Sequence, residues 1–188
     1  ANLRNAAEVM LWGKLTNCGQ ICVAPDHVFM HESVKDRFVA ECRKVLADRY
    51  GATPEAQRAC RDLTGVINQR HTQRIAGLLQ DAVAKGARTL TGGEVDVAGC
   101  YIAPTLLDQV PRDAAIMSEE IFGPLLPILT FRNVDEVVRQ INEGPKPLAL
   151  YVFSQDKART RRILAQTSSG GVAINQVVLH YAQGNLPF

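Results

Sequence analysis

Apolar and polar positions along the chain follow two alternating periods. From Ser33 to Tyr50, the residues Val34, Phe38, Cys42, Val45 and Leu46 fall on one face at helical spacing. Ser33 is placed to cap that helix, Asp36 to make a capping-box-like return, and Gly51 to stop it. A helix over Ala6 to Leu15 precedes it, and His27–His31 reads as a short strand between the two. A further helix is predicted over Gln73–Lys85, with Ile75, Leu78, Leu79, Ala82 and Val83 as its apolar face and Gly86 beyond its end. Thr91-Gly92-Gly93 marks a turn. Tyr101 to Val110 reads as extended, with Pro104 arguing against a central strand position there.

The C-terminal half alternates regularly. Leu125–Phe131 is an apolar strand, and Val134, Val137, Val138 and Ile141 then form a helix face capped by Asn133 and broken by Gly144-Pro145. Leu148–Phe153 is the next strand, Asp156–Gln166 the next helix, and Val172–Ile174 a strand after Ser168-Ser169-Gly170-Gly171. Apolar strands alternating with helices predict a three-layer α/β fold: a mostly parallel sheet with helices on both faces. Such sheets bind ligands at the carboxyl ends of their strands.

Composition narrows the function classes. Of 188 residues, 46% are hydrophobic and 21% charged, and the formal net charge is +2 without a Lys/Arg stripe. A nucleic-acid partner or an anionic-membrane surface is therefore not indicated. The chain carries neither an apolar run long enough to cross a bilayer nor a signal-peptide pattern. Its first residues read as the inside of a helix and its last, Leu186-Pro187-Phe188, as an abrupt stop after a turn, so both ends are expected to continue in a longer protein. Five cysteines (Cys18, Cys22, Cys42, Cys60, Cys100) form an odd set with no repeated spacing. Free thiols in a reducing, cytoplasmic compartment are the simpler reading.

The densest local signal runs from Asn17 through Cys18, Gly19, Gln20, Ile21, Cys22, Val23, Ala24 and Pro25 to Asp26. It lies between a helix and a strand, where a thiol can be held rigidly while facing a cleft. A thiolate is a strong nucleophile toward carbonyl carbon, but an unperturbed thiol, with a pKa of about 8.5, is only slightly ionised near neutrality, so dipoles or a base must enrich the reactive form. On composition alone, a cysteine here reads as a small buried hydrophobe. Zinc binding by Cys18 and Cys22 lacks a second Cys/His pair at ligand spacing. His27 and His31 share a strand face and fit packing or surface roles.

Trp12-Gly13-Lys14 followed by this segment resembles the active-site region of the aldehyde dehydrogenase superfamily, whose pattern is Asn-x-Gly-Gln-x-Cys. The family's nucleophile maps onto Cys22, and Cys18 falls at the variable place. Glu119-Glu120-Ile121-Phe122-Gly123-Pro124 resembles the family's second signature without a mismatch. Taken alone, it also fits a solvated acidic pair opening a helix. The resemblance implies that Glu120 accepts hydrogen bonds from the nicotinamide ribose hydroxyls and that Phe122 packs beside the cofactor. Pro104-Thr105, the segments Lys146–Ser154 and Thr167–Gly171, Asn175, His180 and Leu186-Pro187-Phe188 are similar to the subgroup often called class 3. That subgroup oxidises medium- and long-chain or aromatic aldehydes. His180 fits either a substrate tunnel or a structural place.

The implied chemistry is oxidation of an aldehyde to a carboxylic acid with NAD or NADP, through a thiohemiacetal and a thioester on Cys22. The Cys22 backbone N–H is the implied oxyanion donor. The family's Asn donor, its Glu base and its dinucleotide-binding domain all precede the nucleophile and are not in this sequence, nor is a Gly-x-Gly-x-x-Gly fingerprint. Residues 1–188 are thus expected to be the nucleophile-bearing catalytic domain, which should not turn over alone. The expected partners are an aldehyde substrate, the dinucleotide-binding domain and a second copy of the parent enzyme. A cofactor-independent thiol esterase and a non-catalytic structural or interaction module are the competing readings.

Overall fold

The computed structural model describes residues 2–185. Helix α1 (Leu3–Leu15), capped by the Asn2 side chain, leads through a short 3-10 turn to strand β1 (Val28–His31). Helix α2 (Lys35–Tyr50) ends at Gly51, whose φ of 121° is a conformation that suits glycine. A six-residue helix, α3 (Pro54–Ala59), follows with Thr53 as cap and Pro54 at its first turn. Helix α4 (Gln69–Ala84), strands β2 (Arg88–Thr91), β3 (Val95–Asp96), β4 (Tyr101–Ile102) and β5 (Thr105–Asp108) complete the first half. Strand β6 (Leu125–Phe131), helix α5 (Val134–Glu143), strand β7 (Ala149–Val152), helix α6 (Lys157–Gln166) and strand β8 (Gly171–Ile174) complete the second.

The main sheet has strand order β1-β6-β5-β2, with β1 and β5 parallel to β6 and β2 antiparallel to β5. Both of its faces are covered, and the pleat sorts side chains between them. Leu106, Leu126 and Ile128 pack with Ala7, Met10 and Leu11 of α1 and Phe38, Cys42 and Val45 of α2. Their neighbours Leu107 and Leu125 point the other way, onto Ile75, Leu78 and Leu79 of α4. The α/β architecture with a mostly parallel sheet is the one read from the hydrophobic pattern.

Local details differ from the sequence reading. Ser33 does not cap α2: its hydroxyl bonds the His31 ring at 2.8 Å, and a 3-10 turn over Glu32–Val34 comes first. Helix α4 starts at Gln69 instead of Gln73, because the Asn68 side chain accepts the His71 N–H at 2.9 Å. That first turn is polar and carries no apolar period. Pro104 separates β4 from β5, and the central strand β5 begins directly after it. Among the described residues the parallel strands β7 and β8 pair with no other strand, and the pair joins the rest through Tyr151, which bonds the Val23 carbonyl, and through Phe153 just beyond β7, which packs against both α1/α2 and the Val177–Val178 cluster. No helix among the described residues is long and apolar enough to cross a membrane.

Candidate active site

Helix α1 ends where the Thr16 hydroxyl bonds the Trp12 carbonyl at 2.6 Å. Asn17, Cys18 and Gly19 then take left-handed backbone angles, with φ of 52°, 56° and 73°. Asparagine and glycine tolerate this region; cysteine does so at a cost. Reciprocal bonds hold the bend: Asn17 Nδ2 donates to the Gln20 carbonyl at 3.1 Å, and Gln20 Nε2 returns to the Asn17 carbonyl at 2.9 Å. Gln20 Oε1 also accepts the Ile67 N–H at 2.9 Å, tying the bend to the segment before α4. The Asn-x-Gly-Gln pattern is therefore the framework of the loop, and its function is to present the turn that carries Cys22.

Cys22 sits in a turn closed by the Ala24 N–H on the Ile21 carbonyl at 2.9 Å. Of the five thiols, all within the described residues, Cys22 alone is exposed. Among the described residues its backbone N–H donates to no acceptor. The next residue, Val23, is buried with Val177 and Val178, and its carbonyl accepts the Tyr151 hydroxyl at 2.6 Å. Gly13 permits this packing, since a Cβ there would run into the Val177 side chain. The turn is thus anchored on one side and open on the other.

The Glu119–Pro124 segment lies between β5 and β6 and opens no helix. Its Ile121 is fully buried against Ile75, Leu107 and Leu125, while Glu120 and Phe122 on either side are exposed. Phe122 has φ of 47°, an unfavourable angle for a bulky side chain, and is 39% exposed. The main chain around it is clasped. Asp26 Oδ1 accepts the Ile121 N–H at 3.1 Å, while Arg74 donates to the Glu120 carbonyl at 3.1 Å and the Ile121 carbonyl at 2.5 Å. The Glu120 carboxylate itself accepts no hydrogen bond among the described residues.

Strand pairing explains why the two segments meet. Parallel strands β1 and β6 align Val28 with Ile128, and Cys22 and Phe122 each lie six residues before those partners. The loops leading into the two strands therefore emerge side by side, at the amino ends of the strands rather than the carboxyl ends expected for this sheet type. Contact is intimate: a Cβ on Gly19 would overlap the Gly123 carbonyl, and one on Gly123 would lie 2.7 Å from Ile75 Cδ1.

Beneath the loops lies Lys14, only 2% exposed, with no carboxylate within ion-pair distance among the described residues. Burial pushes its pKa down to about 8, against the pull of Asp26, Cys18 and Glu120. Burial also pushes the Cys18 thiol up to about 11 and Tyr151 up to about 12, which keeps both protonated near neutrality. Burial works against the Asp26 charge, but His27, Lys14 and the Ile121 N–H together hold its carboxyl below the usual range.

Of the residues singled out in the sequence, Cys22, Glu120 and Phe122 lie exposed on these adjoining loops. Lys14, Asp26, Arg74 and Tyr151 were not singled out for roles. One was legible: Lys14 stands at helical spacing from Ala7, Met10 and Leu11, a charge on an apolar face. The others act across the fold, and no local pattern marks them. His180 packs edge-on to Tyr151 at 5.7 Å between ring centres and beside Gly171, with its Nδ1 buried and without a hydrogen-bond partner among the described residues. Leu186-Pro187-Phe188 lies outside the described residues. Among the described residues no group of three or more His, Cys, Asp or Glu is arranged to hold a metal ion.

Residues 1–188 match the sequence profile described as "Aldehyde dehydrogenase family". The chain is 44% identical to the 4,4'-diaponeurosporen-aldehyde dehydrogenase of Staphylococcus aureus, covering 100% of this chain and 40% of that protein. It is 43% identical to mouse (Mus musculus) aldehyde dehydrogenase family 3 member A2, over 97% of this chain and 36% of that one. Among solved structures, the substrate-bound state of the Staphylococcus aureus AldH superimposes with a TM-score of 0.93 at 44% identity, over 100% of this chain and 40% of that one. The NADP-dependent glyceraldehyde-3-phosphate dehydrogenase from Bacillus halodurans, complexed with NADP, gives a TM-score of 0.83 at 31% identity over 95% of this chain and 36% of that one. The chain thus spans about 40% of the length of its first relative. A full-length profile match, close relatives and a shared fold agree: the chain belongs to the aldehyde dehydrogenase family.

Proposed function

We propose that this chain is the nucleophile-bearing catalytic domain of a longer NAD(P)-dependent aldehyde dehydrogenase, C-terminal to that enzyme's dinucleotide-binding domain. The observation that carries this reading is the exposed Cys22 on an otherwise anchored turn, with its N–H donating to no acceptor among the described residues, beside a loop that presents Glu120 and Phe122. Cys22 Sγ, as thiolate, adds to the aldehyde carbon; the carbonyl π electrons move to oxygen, giving a thiohemiacetal anion. The Cys22 N–H is available to that developing oxyanion because nothing in the described chain competes for it. When bound, the oxidised nicotinamide supplies the hydride acceptor that turns this adduct into a thioester. Water then cleaves the C–S bond, releasing the carboxylic acid and restoring the thiol.

Glu120 and Phe122 fit the nicotinamide ribose. A carboxylate without protein donors can accept two vicinal hydroxyls, and a ring held out to solvent at a strained backbone angle can pack beside a flat ligand. The anchoring of Val23 by Tyr151 and Val177 holds Cys22 still while substrate arrives, which favours a near-attack geometry. NADP appears in the name of the Bacillus halodurans structure, and the dog (Canis lupus familiaris) relative, 41% identical, is named dimeric and NADP-preferring. These names support a nicotinamide cofactor and a homodimer for the full-length protein. The subgroup resemblance favours medium- or long-chain or aromatic aldehydes.

The test is NAD(P)-dependent oxidation of such aldehydes by the full-length protein, followed as reduced nicotinamide absorbance. Activity that is lost in Cys22→Ala, with a mass shift on Cys22 from trapped acyl enzyme in the parent, supports the reading. Retained activity in Cys22→Ala overturns it.

A further inference from the structure

We infer that Arg74 is a positioning residue for Glu120, fixing the direction in which its carboxylate faces the ribose hydroxyls. The inference rests on the proposed role of Glu120 and adds a residue with no assigned role. Arg74 projects from α4 and spans two consecutive carbonyls, those of Glu120 at 3.1 Å and Ile121 at 2.5 Å. A planar guanidinium can donate to both at once from a fixed fork; an ammonium cannot reproduce that clasp. The opposite edge of the Ile121 peptide is taken by Asp26 at 3.1 Å. Ile75, the neighbour of Arg74 on α4, packs on Gly123, so one helical turn grips both ends of the exposed stretch.

The consequence is specific. Glu120 has no side-chain partner in the described protein, so its main chain is its only restraint. With Arg74 removed, the two carbonyls lose their donor and the peptide planes on either side of Glu120 are free to tilt. The buried Ile121 keeps the loop in place, but the carboxylate loses its aim. Cys22 is held by Tyr151, Val23 and Val177 instead, and is untouched by this change.

The experiment compares Arg74→Met, Arg74→Lys, Glu120→Gln and the Arg74→Met/Glu120→Gln double variant in the full-length protein. Equilibrium NAD(P) dissociation constants are measured by calorimetry, and Cys22 alkylation rates by peptide mass spectrometry without cofactor. Arg74→Met is expected to weaken cofactor binding by about tenfold, as a misaimed contact does. Arg74→Lys should fall between it and the wild type. The double variant should be within about twofold of Glu120→Gln, because both changes act through one contact. Cys22 alkylation should stay within about twofold throughout, by the independence of separate sites. If Arg74→Met does not fold, Arg74→Lys and its combination with Glu120→Gln carry the same comparison. Unchanged binding in the Arg74 variants, or full additivity with Glu120→Gln, overturns the inference while leaving Glu120 in its role. Unchanged binding in Glu120→Gln overturns the role of Glu120, and the inference with it.

Discussion

The Cys22 turn and the Glu120 segment lie side by side but are held by different forces. Val23, Val177 and Val178 anchor the first through apolar burial, with one neutral hydroxyl from Tyr151. The second is gripped at its main chain by two charged side chains, Arg74 and Asp26, with Ile121 as its apolar anchor. Apolar anchoring responds little to pH or salt, whereas charged clasps respond to both. A turn that must present one atom in one place benefits from the first. If, as proposed, the Glu120 segment meets a large, flexible cofactor, it can use a polar frame that leaves its own carboxylate free.

The largest expected contrast is catalytic. In the full-length protein, Cys22→Ala should lower kcat on the order of 10⁴-fold or more, as loss of a covalent nucleophile does. Glu120→Gln should instead act mainly on the cofactor KM, by about tenfold. Steady-state kinetics with varied NAD(P) separates the two, and equal effects on both parameters in both variants would erase the distinction.

Next in size is the contact between the loops. Gly19→Ala puts a Cβ into the Gly123 carbonyl at a left-handed φ of 73°. It should cost about 3 kcal/mol or more, combining a backbone clash with the left-handed penalty. Gly123→Ala meets the Ile75 side chain, at 2.7 Å from Cδ1 and 3.1 Å from Cγ2, and no backbone atom, and should cost less, about 1–2 kcal/mol. Urea denaturation midpoints rank the two; the reverse order would mean that Gly123 sets the approach.

A pH series sharpens the contrast in anchoring. Val23→Ala should cost about 2 kcal/mol, by the same amount at acid and neutral pH. Asp26→Asn should cost about 1 kcal/mol at neutral pH, since the amide still accepts the Ile121 N–H but loses the attraction of Lys14. Because the folded Asp26 carboxyl is held below its unfolded value, its contribution is present above the ordinary carboxylate range and fades as pH falls through the folded value. The stability difference between wild type and Asp26→Asn should therefore shrink on acidification. A difference that stays constant would show that the Asp26 charge contributes nothing.

The smallest effect is a gain. Lys14 is buried without an ion pair among the described residues, so Lys14→Met should stabilise the fold by about 1 kcal/mol at neutral pH. The folded pKa of about 8 lies below the ordinary 10.5, so the unfolded chain takes up the proton first as pH falls through that window. The advantage of methionine should be full below about pH 8 and fade toward pH 10.5. Thermal melts across that range read it directly. A destabilised Lys14→Met would mean that the ammonium is stabilised by Asp26, Cys18 and Glu120 beyond its desolvation cost.

Much of the fold was legible. Strand β6 matches its predicted bounds, Asn133 caps α5 as read, and α6 starts one residue after its predicted first residue, Asp156, whose side chain caps it. Each of these features depends on a few consecutive residues, so local chemistry decides it. Helix α3 was missed because it is short and exposed, with no apolar face to signal it. The start of α4 was misread for the same reason: a cap and a polar turn leave no periodic trace. Cys22, Glu120 and Phe122 were singled out by their motifs, and the motifs say nothing of how they are held. Arg74 and Tyr151 are separated from the groups they bond by 47 and 128 residues, and neither stands out in its own neighbourhood.

The alternation of apolar strands and helices in the second half, the two-sided burial of the main sheet and the positions of the Cys22 and Glu120 segments were set by the sequence alone, because periodicity, caps and breakers act over one or two turns, whereas α3, β2 and β3 left no such local trace. That the two loops share one end of the sheet was decided only by the parallel pairing of β1 with β6. The hold of Arg74 and Tyr151 on the backbones of these loops was likewise decided by the tertiary packing of α4 and β7 against them. These contacts join residues far apart in the chain, and their free energy exists only once the core between them has closed.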